Sequence, residues 1–201
     1  MSELAAGRGG APREIAALFV DRDGVLNRDV GHLVDPGQLE LLPGVAAALA
    51  QVSAAGVPVV VVTNQSVVGR GLLGPRGLAP VHEKLARLLA AGGARVDAFA
   101  VCPHRPADGC PCRKPKPGLL LAAAAEHRLD LAASVMVGDR PKDLAAARQA
   151  GCGLVILAGA HDDDRPPAGA ADLEVATLGE AVAAALPFLA GRPLPVAGGR
   201  P

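Results

Sequence analysis

The sequence predicts an α/β fold in which a mainly parallel sheet carries helices on both faces. Three observations lead there. Short β-branched runs alternate with longer stretches of helical spacing. Prolines fall at or near the starts of predicted helices (Pro43, Pro117, Pro141), where a missing N–H is no loss. Glycines follow the predicted helix ends (Gly56, Gly92, Gly151), where a residue with access to left-handed φ closes the last turn. Strands alternating with helices imply crossover connections, and hence parallel pairing.

The elements follow in chain order. Residues 17–20 form the first strand. A helix over 43–55 places Val45, Leu49 and Val52 on one face. The run 57–62 is β-branched and apolar, as a strand buried on both faces requires. A helix over 78–91 leads to a strand at 98–101, and a helix over 117–128 to a strand at 134–137. The last elements are a helix at 141–150, a strand at 154–157, a weaker strand at 173–176 and a helix at 178–189.

The stretch 41–69 carries no charge and is long enough to cross a membrane. Pro43, Gly44, Gly56 and Pro58 divide it into a helix and a strand instead, so no membrane partner is expected. One domain over 14–190 is expected, with tails at 1–13 and 191–201. The first thirteen residues lack the apolar core of a secretory signal, so a cytoplasmic location is expected.

Composition narrows the function classes. The chain has 201 residues, half of them apolar, enough to bury a full core. Lys+Arg and Asp+Glu both number 20, so the formal net charge is zero. Binding a long polyanion by bulk charge is excluded. With no Trp, no Tyr and three Phe, a base-stacking platform is excluded too. No nucleic-acid partner is expected.

In open parallel sheets, ligands bind beyond the carboxyl ends of the strands. Asp21-Arg22-Asp23-Gly24 follows the first strand. The two carboxylates read either as a polar loop start or as a nucleophile beside an acid/base. Thr63-Asn64-Gln65-Ser66 follows the second strand and offers a hydroxyl and N–H groups to phosphate oxygens. Gly138-Asp139-Arg140-Pro141-Lys142-Asp143 follows the fourth. Its carboxylates suit a hard, oxygen-preferring cation such as Mg²⁺, although Asp143 alone also suits a helix N-terminus. Arg113-Lys114-Pro115-Lys116 is either a solvated basic loop or the counterweight to these carboxylates and a phosphate. The acidic run at 162–164 reads as a solvated loop. His32, His82, His127 and His161 have no motif context and read as surface residues.

The four cysteines divide into three and one. Cys102, His104, Cys110 and Cys112 supply three thiolates and an imidazole, a closed tetrahedral set for a structural Zn²⁺. Redox chemistry is the alternative, though a Cys-x-Cys disulfide is strained. The zinc would pin the loop that delivers Arg113 and Lys114. Cys152 follows a helix stop and reads as a small buried hydrophobe.

Taken in order, these motifs resemble those of the haloacid dehalogenase superfamily of phosphohydrolases, over roughly residues 18–151. The resemblance implies a three-layer sandwich without a large cap domain, Mg²⁺ and an aspartyl-phosphate intermediate. It makes Asp21 the nucleophile and Asp23 the general acid/base. Thr63 then binds the phosphoryl group, while Lys114 stabilises its charge and orients Asp21. Asp21, Asp139 and the Asp23 carbonyl would hold Mg²⁺, with Asp143 supporting them from behind.

The Cys-Pro-His and Cys-x-Cys-Arg-Lys-Pro segments are similar to a small, cap-less subgroup of phosphatases acting on heptose 1,7-bisphosphate or histidinol phosphate. Asn64, Gln65, Ser66, Arg70 and Arg113 are the substrate-binding candidates. The expected substrate is a small phosphorylated sugar, specifically heptose 1,7-bisphosphate losing its 7-phosphate, with histidinol phosphate as the alternative. The short loop between His104 and Cys110 is nearer the histidinol pattern. Val67 and Arg140 stand where the heptose pattern has Gly and Lys. A zinc-stapled binding module without catalysis is the alternative from another class, but it would not need both loop carboxylates. A monomer is expected.

Overall fold

The computed structural model describes residues 14–74, 76–159 and 164–191. The expected tails, apart from Gly191, lie outside these residues, as do His161 and the first two aspartates of the acidic run. Six strands form one sheet: β1 (Leu18–Val20), β2 (Val59–Asn64), β3 (Ala98–Cys102), β4 (Val135–Gly138), β5 (Leu154–Ala158) and β6 (Leu173–Val175). Their order is β3-β2-β1-β4-β5-β6, and every pairing is parallel.

Strand β1 is buried on both faces. Leu18 and Val20 point into one apolar core and Phe19 into the other, as period-two alternation requires. Helices α1 (Val45–Ala54), α3 (Ala79–Ala91) and α6 (Leu178–Leu189) cover the first face. The second is covered by α4 (Gly118–His127) and α5 (Pro141–Ala150). Each large core side chain here contributes roughly 1.5–3 kcal/mol by leaving water. Among the described residues no helix is long and apolar enough to cross a membrane.

The boundaries differ from expectation for local reasons. Helix α1 starts at Val45 because Gly44, at φ 77°, forms a left-handed cap after Pro43. Strand β2 starts at Val59, because the Val57 N–H is used by the Val52 carbonyl in closing α1. At its far end β2 runs on to Asn64, which is in register with Cys102 of β3. The four-residue helix α2 (Ser66–Gly69) was not expected, being too short to show a helical period.

The topology sets the site. From β1 the chain passes to β2 and β3 on one side, then returns to place β4 on the other. The carboxyl ends of β1 and β4 therefore open into the crevice where the strand order reverses.

Candidate active site

Asp21 continues the β1–β4 pairing, its N–H donating to the Val137 carbonyl at 2.9 Å. Its Oδ1 accepts from the Arg22 N–H at 2.7 Å and lies 2.9 Å from Lys114 Nζ. Lys114 Nζ also donates to the Val62 carbonyl at 2.7 Å and pairs with Asp143 Oδ1 at 2.7 Å. One carbonyl and two carboxylates thus surround one ammonium, with the Lys114 and Asp143 side chains fully buried. Burial alone would push the Lys114 pKa down, but Asp143 and Asp21 more than offset this and raise it. Asp21 is pushed up to about 7 by burial first and by the Asp143 charge second, with Lys114 pulling the other way.

The main chain of Lys114 is clasped as well. Asn64 Nδ2 donates to the Lys114 carbonyl at 3.0 Å, and the Lys114 N–H donates to Asn64 Oδ1 at 3.1 Å. The end of β2 therefore fixes the residue that orients the end of β1.

Asp23 is gripped by three side chains. Arg22 Nε and Nη2 reach its Oδ1 at 3.0 and 2.9 Å, and Nη2 reaches its Oδ2 at 2.8 Å. Asn27 Nδ2 donates to Oδ1 at 3.0 Å and Gln65 Nε2 to Oδ2 at 2.7 Å. Gln65 also donates to Thr63 Oγ1 at 2.8 Å. The side chain of Gln65 is thus turned inward, and it is absent from the residues lining the cleft.

Across the crevice, buried Asp139 follows β4. Gly24, at φ 86°, passes so close that a Cβ there would overlap Asp139 Oδ2. Asp143 accepts the Arg140 N–H through Oδ2 at 3.1 Å, closing a capping box at the start of α5. Carboxylate oxygens of Asp21, Asp139 and Asp143 all lie within 4.8 Å of one another.

A cleft of about 230 Å³ opens over these groups. Asp21, Asp23, Thr63, Asn64, Ser66, Arg70, Arg113 and Asp139 line it, as expected. Asp29, Gly31, His32, Arg140 and Lys142 line it too. Arg140 and Lys142 flank Asp139 in the motif, which could have flagged them. Asp29, Gly31 and His32 carry no such signal; His32 is exposed, as read, and also stands in the cleft wall. His82 differs as well: its ring stacks on Phe99 with centroids 4.4 Å apart, and its pKa is lowered to about 4 by burial first and the Arg22 charge second.

Beside the cleft, Cys102, His104, Cys110 and Cys112 converge. Five of their six ligand-atom pairs are 3.3–3.7 Å apart. All four cysteines are free thiols. A tetrahedron with Zn–S near 2.3 Å has edges of about 3.8 Å, close to these values. Burial works against ionisation of Cys110, but bonds to Cys112, to Cys102 and to backbone N–H groups lower it to about 7. Burial and bonds to Cys110 and Cys102 push Cys112 up to about 12, a conflict that a divalent cation would remove. Arg113 Nη1 donates back to the His104 carbonyl at 3.1 Å, and Lys116 Nζ to the Gly109 and Cys110 carbonyls at 2.6 and 3.0 Å.

With this geometry in place, comparison with known proteins is direct. The profile of the haloacid dehalogenase-like hydrolases matches residues 9–151. The chain belongs to that family. The hydrolase is 46% identical over 136 residues to a D-glycero-beta-D-manno-heptose-1,7-bisphosphate 7-phosphatase of Bordetella bronchiseptica, covering 67% of this chain and 76% of that one. It is 41% identical over 151 residues to a D-glycero-alpha-D-manno-heptose-1,7-bisphosphate 7-phosphatase of Mycobacterium tuberculosis, covering 71% and 80%. Among solved structures it resembles the D,D-heptose 1,7-bisphosphate phosphatase of B. bronchiseptica complexed with magnesium and phosphate. The TM-score is 0.77 at 37% identity, with 86% of this chain and 98% of that one covered.

Proposed function

We propose that this hydrolase removes the 7-phosphate from a D-glycero-D-manno-heptose 1,7-bisphosphate through a covalent aspartyl phosphate. The observation that carries the reading is Lys114 Nζ, 2.9 Å from Asp21 Oδ1 at the floor of the cleft. It aims the carboxylate and supplies positive charge where a phosphoryl group would add negative charge.

The Asp21 carboxylate attacks phosphorus, and the bond from phosphorus to the sugar oxygen breaks. Asp23 gives that oxygen a proton, so the sugar leaves as an alcohol. Asp23 then takes a proton from a water that attacks the phosphoryl group, freeing phosphate and regenerating Asp21. Thr63 offers its hydroxyl to the phosphoryl oxygens.

The buried carboxylates fit Mg²⁺, because Asp21, Asp139 and Asp143 bring oxygens within 4.8 Å of one another and offer only hard donors. Asp21, Asp139 and the Asp23 carbonyl would hold it, and it would neutralise charge on the transferring phosphate. The Cys102, His104, Cys110 and Cys112 set fits a structural Zn²⁺. We place the enzyme in the cytoplasm, acting as a monomer.

Histidinol phosphate is the less favoured substrate. Arg70, Arg113, Arg140 and Lys142 line the cleft, more cations than one phosphate requires. A second phosphate would use them. The relatives are named for both heptose anomers. The test is kcat/KM on each anomer and on histidinol phosphate, with Asp21→Asn as control. Heptose bisphosphate is expected to win, and the control to release no phosphate. Preference for histidinol phosphate would overturn the substrate assignment, and turnover by Asp21→Asn the covalent route.

A further inference from the structure

Arg22 lies between the two carboxylates of the β1 loop, and its side chain has no exposure to solvent. Burying a guanidinium is unfavourable unless its partner is well placed. The partner here is Asp23, met by a fork of Nε and Nη2. Nη1 is buried without a hydrogen-bond partner among the described residues, so the group is not satisfied for its own sake. The turn beneath is rigid. The Leu26 and Asn27 N–H groups donate to the Arg22 carbonyl at 2.8 and 3.1 Å, and the Gly24 N–H donates to the Asn27 carbonyl at 2.8 Å. Asn27 and Gln65 complete the grip from the far end of the turn and from beyond β2. Asp21, by contrast, is held by Lys114, so the two carboxylates have separate cationic holders.

We infer that Arg22 is a positioning residue for proton transfer: its fork fixes the Asp23 carboxyl in the cleft so that it delivers its proton to the leaving oxygen. Arg22 itself touches no substrate, being absent from the cleft wall. The inference rests on Asp23 being the acid, and the experiment separates the two claims.

A sugar alkoxide needs a proton to leave, while 4-nitrophenolate leaves as the anion. Loss of proton delivery therefore lowers kcat/KM on the sugar phosphate and spares the aryl phosphate. Because kcat/KM reports only steps through release of the leaving group, the later attack of water does not blur the comparison. Arg22→Met is expected to lower kcat/KM on heptose bisphosphate about 100-fold and on 4-nitrophenyl phosphate less than about threefold. Arg22→Lys keeps the charge but not the fork and should fall about tenfold on the sugar alone. It carries the test if the methionine variant does not fold. Combining Arg22→Met with Asp23→Asn should be no worse than Asp23→Asn alone.

Equal losses on both substrates, or multiplied losses in the double variant, would overturn the role of Arg22. If Asp23→Asn itself shows no difference between substrates, Asp23 is not the acid, and both claims fail.

Discussion

Lys114 Nζ lies 2.7 Å from Asp143 Oδ1, and neither side chain reaches solvent. Asp143 comes from α5 and Lys114 from the loop after the cysteine cluster, so one ion pair ties α5 to that loop. Removing the ammonium would strand two carboxylates in a buried site. Lys114→Met is therefore expected to lower unfolding free energy by about 3–5 kcal/mol and kcat by at least about 100-fold. Denaturant unfolding and steady-state kinetics check this. A variant of wild-type stability would show that the pair contributes nothing.

Magnesium binding should compete with a proton. The Asp21 pKa is raised to about 7 by burial and the nearby Asp143 charge. Below that pH the metal-free carboxyl holds a proton that a cation must displace. Affinity for Mg²⁺ should weaken about tenfold per pH unit below about pH 7 and level off above it. Calorimetric titration between about pH 5 and pH 8 reads this directly, and an affinity independent of pH would contradict it. The same sign applies to folding. A carboxyl whose folded pKa is raised stabilises the metal-free protein below about pH 4, and this contribution is lost as pH rises through about 7.

Zinc removal should silence the active site from outside the cleft. Lys114 follows Cys112 by two residues, and Arg113 is bonded to the His104 carbonyl. A strong chelator is expected to lower Tm and abolish turnover even with Mg²⁺ in excess, and added zinc should restore both. Gly118→Ala tests the same loop without a chelator. A Cβ at Gly118 would overlap the Pro111 carbonyl and crowd the Cys112 Cα, backbone atoms between and at two of the proposed zinc ligands. The variant should retain less zinc by elemental analysis.

The four thiols should react in two classes. Cys152 is buried, and its thiol is pushed up to about 12. A thiol-specific reagent near pH 8 should find no reactive thiol in the zinc-loaded protein. After chelation under native conditions Cys110, lowered to about 7, should react first, and Cys152 should react only after denaturation. Rapid reaction of Cys152 in the folded protein would show that its cover opens.

Much of this molecule was legible in the chain. Apolar runs marked β1, β2, β4 and β5 most clearly, since burial on both faces demands unbroken hydrophobicity, while β3 and β6 are only partly buried. Asp21 and Asp139 could be placed because a polar residue at the end of such a run must face the crevice. The cysteine cluster was legible because its four ligands lie within eleven residues. These are local signals, set by backbone period and by ligand spacing.

Tertiary structure alone decided the rest. Asn64 lines the cleft as a substrate-binding candidate would, and its amide is also clasped to the main chain of Lys114, fifty residues away. Gln65 turned inward to Asp23 and Thr63, Arg22 became the buried partner of Asp23, and His32 entered the cleft wall. None of these follows from spacing. A polar side chain takes whichever partner the sheet register brings within 3 Å of it, and parallel strands bring together partners far apart in the chain.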